Sequence, residues 1–378
     1  MKDDKIIVAW LWPRYEGLVC FGAPIILGLD PQRYQPICVY LMKSSEKPNS
    51  FEEKGYEVFY ISRKKFFRMF NLWIIWKLSR VLKRENVDIL HCHKHQATIY
   101  GTIAAKLAGV PVVFSHVHGL NRSKNPRRKF INWIVLKWAT KIIAVANSVK
   151  EDVLKNNWAL SSDKLSVLEN SVDFECFANV AITKVEAKGR LGVIPPDAFV
   201  YGTIARFGLF KGHSFLISAF EKVKKQVASA HLILVGDGLL KEEIQKQVAK
   251  AGLDESVHFL GQRDNIAEIY KAIDVFVLPS IGSEGMPRVI LEAMAAGVPC
   301  VATKVGGIPE IVSGEDVGFL VPPGDENALA EVMLKLAKMP EKKRQKLIGK
   351  AQDEIRRFYA HEVVREKLRN LYETELTH

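Results

Sequence analysis

Strand-like and helix-like signals alternate along the whole 378-residue chain, and this alternation restricts the fold more than any other feature. Short apolar runs at 5–12, 37–42, 58–61, 88–93, 111–115 and 141–146 read as strands, and segments of helical periodicity stand between several of them, at 66–84, 97–107 and 128–139. The pattern weakens over 178–197, which ends in Pro195-Pro196-Asp197 and reads as a linker. A second series of strands follows at 199–205, 231–235, 257–260, 275–279 and 299–303. Its helices fall at 214–226, 241–251, 266–272, 287–296, 325–337 and 340–358, and 358–377 forms a last amphipathic helix. A strand–helix–strand rhythm builds a parallel sheet covered by helices. The expectation is therefore an α/β chain of two Rossmann-like domains, 1–185 and 186–357, with parallel sheets facing across a cleft and 358–378 packing back on the first. Ligands are expected at the C-terminal ends of the strands.

The charge is unevenly placed. Residues 1–200 hold 30 Lys and Arg against 18 Asp and Glu, whereas 201–378 hold 24 of each. Residues 101–150 carry nine basic and no acidic side chains. A one-sided field of this kind draws nucleic acid, anionic lipid surfaces or phosphorylated ligands. No run of about 18 uncharged apolar residues is present, so no spanning helix is expected. Met1-Lys2-Asp3-Asp4-Lys5 leads into a strand-like run without a signal-peptide core, and five scattered cysteines read as reduced thiols of a cytosolic protein.

Three segments of the second series follow strands and carry chemistry. Gly202–213 places Arg206 and Lys211 on one loop before a helix, where a guanidinium and an ammonium suit a diphosphate. Glu284-Gly285-Met286-Pro287-Arg288 opens a helix that ends near Gly297, with Glu292 one to two turns inside it. Carboxylates accept several hydrogen bonds and suit vicinal sugar hydroxyls, and the free amides at the helix start suit an anion. Glu292 stands among Leu291, Ala293 and Met294, an apolar setting for a carboxylate. The third, Val305-Gly306-Gly307-Ile308-Pro309-Glu310, reads either as a border of the same pocket or as a tight connection.

Taken in order, the Glu284-x7-Glu292 pattern, Arg206-x4-Lys211 and Val305–310 resemble the retaining glycosyltransferases of family 4, which have the GT-B fold. The likeness extends to the first half, in Asp88-Ile89-Leu90-His91-Cys92-His93, in 104–111, in Val117-His118-Gly119 and in Asn170-Ser171-Val172-Asp173. The resemblance implies transfer of a sugar from a nucleotide-diphosphate sugar, UDP-linked by expectation, with retention at the anomeric carbon. Arg206 and Lys211 would hold the diphosphate, Glu292 the ribose, and Glu284 with the Gly285-Met286-Pro287 backbone the donor sugar. Arg263 would border the nucleobase, His118 would reach the donor sugar from the first domain, and Gly17 would approach the diphosphate. Two departures stand out: Tyr15-Glu16-Gly17-Leu18 lacks the Gly-Gly pair common in the first loop, and Met286-Pro287 replaces the usual Phe-Gly.

His91, His93 and His95 alternate on one strand and invite a metal site, but the resemblance makes this an ordinary strand end, and no Asp-x-Asp motif is present. No metal ligands and no cofactor beyond the nucleotide sugar are expected. The apolar, basic helix over 66–84 and the cluster at Asn121–129 suggest contact with an anionic membrane surface. The expected localisation is cytoplasmic, peripheral on the inner face of the cell membrane, with a cell-envelope glycan or lipid-linked acceptor. A nucleic-acid-binding protein lacks any visible reading module, and a nicotinamide enzyme lacks G-x-G-x-x-G after the first strand. A nucleotide-sugar epimerase of the same fold is the rival that the motifs leave open.

Overall fold

The computed structural model describes residues 5–15, 23–43, 49–63, 71–121, 126–157, 160–282 and 284–377. The chain divides into two compact units, Met1–Asn170 with His361–His378, and Ser171–Ala360.

The first unit carries a seven-stranded sheet: β1 (Ile6–Arg14), β2 (Tyr34–Met42), β3 (Val58–Ser62), β4 (Ile89–His93), β5 (Val112–Val117), β6 (Lys141–Ala144) and β7 (Leu165–Val167). Their order is β3-β2-β1-β4-β5-β6-β7, and every pairing is parallel. One face, with Leu11, Val39 and Leu90, is covered by helices Leu72–Arg84 and Lys94–Ala108. The other face, with Val8, Trp10 and Phe114, is covered by Val364, Leu368 and Tyr372 of helix His361–Leu376. Burial on both faces explains why these strands read as apolar runs instead of alternating ones.

The second unit carries β8 (Phe199–Ile204), β9 (Ala230–Val235), β10 (Val257–Gly261), β11 (Val275–Leu278), β12 (Cys300–Thr303) and β13 (Phe319–Val321). These run in the order β10-β9-β8-β11-β12-β13, again all parallel. In both sheets the strand order reverses direction between two neighbours, β1 and β4 in the first and β8 and β11 in the second. Loops leaving such neighbours at their C-terminal ends diverge and leave a crevice for a ligand.

Two sequence expectations need correction. The division between units falls after Asn170, not at 185/186. Val172 pairs with Ala360, its N–H bonds the Tyr359 carbonyl at 2.9 Å, and the short helix Phe174–Ala178 packs on helix Arg288–Ala295, so this stretch belongs to the second unit. The supposed linker also contains a helix, Lys184–Leu191. Thr183 and Glu186 form a reciprocal capping box at its start and Gly192 closes it in a left-handed conformation. Its polar sequence hides it from a search for apolar periodicity.

Candidate active site

Three loops of the second unit converge by hydrogen bonds. The loop after β8 carries Arg206 and Lys211. It is shaped by glycines: a Cβ on Gly212 (φ 68°) would come within 1.8 Å of the Pro279 carbonyl oxygen, and one on Gly236 (φ 133°) within 2.1 Å of that of Ala205. Only glycine lets these backbones approach so closely. The second loop leaves β11, and Ile281 N–H bonds the Phe210 carbonyl at 2.9 Å, tying it to the first. The third leaves β12, and Gly307 N–H donates to the Gly285 carbonyl at 2.8 Å. The Val305–310 run therefore borders the Glu284 loop.

Lys211 Nζ meets Glu284 Oε1 at 2.6 Å, and the Ser280 hydroxyl donates to the same oxygen at 2.6 Å. Thr303 Oγ1 in turn donates to the Ser280 carbonyl. Glu284 is buried, whereas the Lys211 side chain keeps 29% of its exposure. The pair thus holds an ammonium at the mouth of the site on a fixed carboxylate. A charge-assisted bond of this kind positions both groups.

Gly285, Met286 and Pro287 are buried, and Pro287 occupies the N-cap of helix Arg288–Ala295, with no side-chain cap. Glu292 lies on that helix. Tyr270 Oη shares its proton between the Val289 carbonyl at 2.9 Å and Glu292 Oε2 at 3.2 Å, and Arg288 Nη2 stands 3.7 Å from Glu292 Oε1. Burial pushes the Glu292 carboxyl above the usual carboxylate range, against the pull of Arg288 and the Tyr270 hydrogen bond. Arg206 is exposed on its loop. Arg263 follows β10 and its Nε donates to the Leu260 carbonyl at 3.0 Å, so it is anchored to its own turn. Gly17 lies outside the described residues.

In the first unit, His118 follows β5 and its Nε2 stands 3.0 Å from His93 Nδ1. The alternation of His91, His93 and His95 does not continue along one strand. His95 belongs to helix Lys94–Ala108. Its place is taken by His116 of the neighbouring strand, which the β4–β5 register sets opposite His93. Ring nitrogens of His91, His93 and His116 lie within 4.8 Å of one another, with His91 Nε2 and His116 Nδ1 at 3.1 Å. Trp12 stacks flat on His93 with ring centres 4.2 Å apart. No local spacing announces His116, because the contact depends on strand register.

Sequence reasoning also passed over His213, the first residue of the helix that follows the Lys211 loop. It is buried and stacks on Phe207 at 4.4 Å. Burial first, and the Lys211 charge second, push its imidazole down to about 4 from 6.5. Above pH 6.5 both folded and unfolded chains hold it neutral. Between 6.5 and about 4 only the unfolded chain takes the proton, so stability falls as pH falls. That loss amounts to roughly 3 kcal/mol in full. His213→Phe is expected to flatten this limb in urea denaturation followed by circular dichroism at stepped pH; an unchanged limb would remove His213 as its source.

Comparison with known proteins gives the family. The profile described as Glycosyltransferase Family 4 matches residues 27–175, and that described as Glycosyl transferases group 1 matches 198–339. The UDP-Gal:alpha-D-GlcNAc-diphosphoundecaprenol alpha-1,3-galactosyltransferase of Escherichia coli is 32% identical over 268 residues, 68% of each chain. The phosphatidyl-myo-inositol mannosyltransferase of Mycobacterium leprae is 28% identical over 310 residues, 80% of this chain and 77% of its own. Among solved structures, Anabaena HepE in complex with UDP superposes with a TM-score of 0.83 at 21% identity, over 98% of this chain and 100% of that one.

Proposed function

We propose that this chain, which belongs to glycosyltransferase family 4, moves a hexose with retention from a UDP-sugar to a glycan or lipid-linked acceptor of the cell envelope. The observation that carries this reading is the Lys211–Glu284 pair, set on the loops that leave β8 and β11, with Glu292 buried on the helix that follows the second of them. The choice of UDP is supported by the E. coli relative, whose name gives UDP-Gal, and by HepE, solved with UDP.

In the proposed reaction, Lys211 and Arg206 hold the diphosphate, Glu292 accepts from the ribose hydroxyls, and Glu284 orients the sugar. Arg263 borders the base and His118 acts on the sugar. The bond between the anomeric carbon and the β-phosphate oxygen breaks, and the acceptor oxygen bonds that carbon on the same face. The departing phosphate takes the acceptor proton. Negative charge grows on the diphosphate as the bond breaks, and the two cations stabilise it. Because these side chains meet that charge, turnover is expected to survive EDTA.

Thermal-shift screening of nucleotide sugars tests the donor. UDP-sugars are expected to stabilise the full chain, and Glu292→Ala is expected to abolish the shift. A shift retained in that variant would overturn the ribose assignment.

A membrane surface completes the proposal. Among the described residues no helix is long and apolar enough to cross a membrane. Yet Leu72, Trp73 and Trp76 of helix Leu72–Arg84 are exposed, as are Phe130, Trp133 and Trp138 of helix Pro126–Trp138. Each tryptophan has a cation over its ring: Lys77 on Trp73 at 4.0 Å, Arg80 on Trp76 at 5.5 Å, Lys137 on Trp133 at 4.2 Å and Lys106 on Trp138 at 4.1 Å. Amphipathic rings flanked by lysine and arginine suit the headgroup layer of an anionic leaflet. The chain is therefore proposed to work peripherally on the inner face of the cell membrane. Flotation with anionic vesicles at low salt should capture it, and Trp73→Ser with Trp76→Ser should release it.

A further inference from the structure

A cavity of about 520 Å³ lies wholly within the first unit, at the C-terminal ends of β4 and β5. Lys94, Arg128, Asn132, His116, His118 and the first turn of helix Lys94–Ala108 line it, and among the described residues no carboxylate does. That helix starts without a side-chain cap, and its first residues, Lys94, His95 and Gln96, line the cavity at the positive end of the helix dipole.

A second, independent observation concerns His116. It is only 7% exposed, and its Nε2 has no hydrogen-bond partner among the described residues. The tautomer that leaves the fewest buried polar groups without a partner runs along a buried chain. Trp10 Nε1–H can only donate, and it reaches Tyr372 Oη at 3.2 Å. The Tyr372 hydroxyl proton then serves His91 Nδ1 at 2.7 Å. His91 carries its own proton on Nε2 and donates to His116 Nδ1 at 3.1 Å. Every donor up to this point is used, and the one left over is His116 Nε2–H. Burial pushes the His116 imidazole down to about 3, so the ring is neutral and holds a single proton. A buried N–H without an acceptor is costly, and its position at a cavity lined by two cations points to an oxygen ligand carrying negative charge.

We propose that this cavity binds the phosphate or diphosphate of the acceptor, with Lys94 and Arg128 supplying charge and His116 Nε2–H supplying a directed hydrogen bond. The inference rests on the glycosyltransferase reading and names the acceptor class: a sugar carried on a phosphate or diphosphate ester. His116 is then a positioning group whose proton is oriented by Trp10, Tyr372 and His91.

The test compares two soluble acceptors bearing the same sugar, one as a short-chain alkyl diphosphate and one as an alkyl glycoside. Arg128→Ala, Lys94→Ala and His116→Leu are each expected to raise KM for the diphosphate acceptor about tenfold or more, the loss of one charge-assisted contact. KM for the UDP-sugar and for the glycoside should not change. Tyr372→Phe, which keeps the ring but removes the relay, should raise the same KM and serves if His116→Leu melts early. Equal changes for both acceptors, or none, would overturn the proposal. Calorimetric titration of the UDP-saturated chain with inorganic pyrophosphate reads the cavity without turnover. Binding lost in Arg128→Ala supports the site even if no sugar transfer is found, which would sink only the enzymatic reading. Loss of anionic-vesicle binding with an unchanged acceptor KM would assign the cations to lipid headgroups and end the proposal.

Discussion

Lys211→Ala is expected to lower kcat/KM for the UDP-sugar by about 10²–10³-fold, the range seen when one group that stabilises departing charge is removed. The structure adds a complication that makes the test sharper. Lys211 is the cation on Glu284, so its removal leaves a buried carboxylate with only the Ser280 hydroxyl among the bonds to Oε1. Some loss of activity could then come from a disturbed loop. Glu284→Gln in the same background removes the stranded charge. If Lys211 acts on the diphosphate, the double variant regains thermal stability but turns over well below Glu284→Gln alone. Recovery of turnover along with stability would mean that the lysine only neutralises Glu284.

Tyr372→Ala is expected to cost about 3–5 kcal/mol, as for other large buried rings. Tyr372 is fully buried, packs on Phe114 with ring centres 5.2 Å apart, and bonds both Trp10 and His91. The effect should be confined to the first unit, and the sequence offers a clean way to see it. All seven tryptophans, Trp10, Trp12, Trp73, Trp76, Trp133, Trp138 and Trp158, lie within the first 170 residues. Tryptophan fluorescence during urea unfolding therefore reports that unit alone. A large drop in its midpoint is expected, with the UDP thermal shift still present; an unmoved midpoint would mean that helix His361–Leu376 contributes little to the first core.

These two residues also show what a sequence reveals and what it conceals. Lys211, Glu284 and Glu292 were legible because local spacing sets them: strand, glycine turn, helix start. The doubly wound strands were legible because burial on both faces leaves apolar runs such as Val275–Leu278. The edge strands Leu165–Val167 and Phe319–Val321 escaped notice because three residues carry no periodicity. Tyr270 braces Glu292 and Thr303 braces the Ser280 loop from 22 and 23 residues away along the chain, a relation that no window of sequence contains. Ser280 is nearer to Glu284, yet a serine four residues before a glutamate is unremarkable until both are buried together. His116 is the extreme case, since only the pairing of β4 with β5 makes it a neighbour of His91 and His93.

The first unit takes its last helix, His361–Leu376, from beyond the whole of Ser171–Ala360. In the order of synthesis, the second unit is complete while Val8, Trp10 and Phe114 still await their cover. A growing chain would carry an open apolar sheet face through that interval, and a fragment ending at Asn170 should aggregate. The same wiring makes the second unit an insert instead of a tail. A chimera that exchanges donor preference with a relative should be cut twice, after Asn170 and after Ala360, so that the recipient keeps its own closing helix.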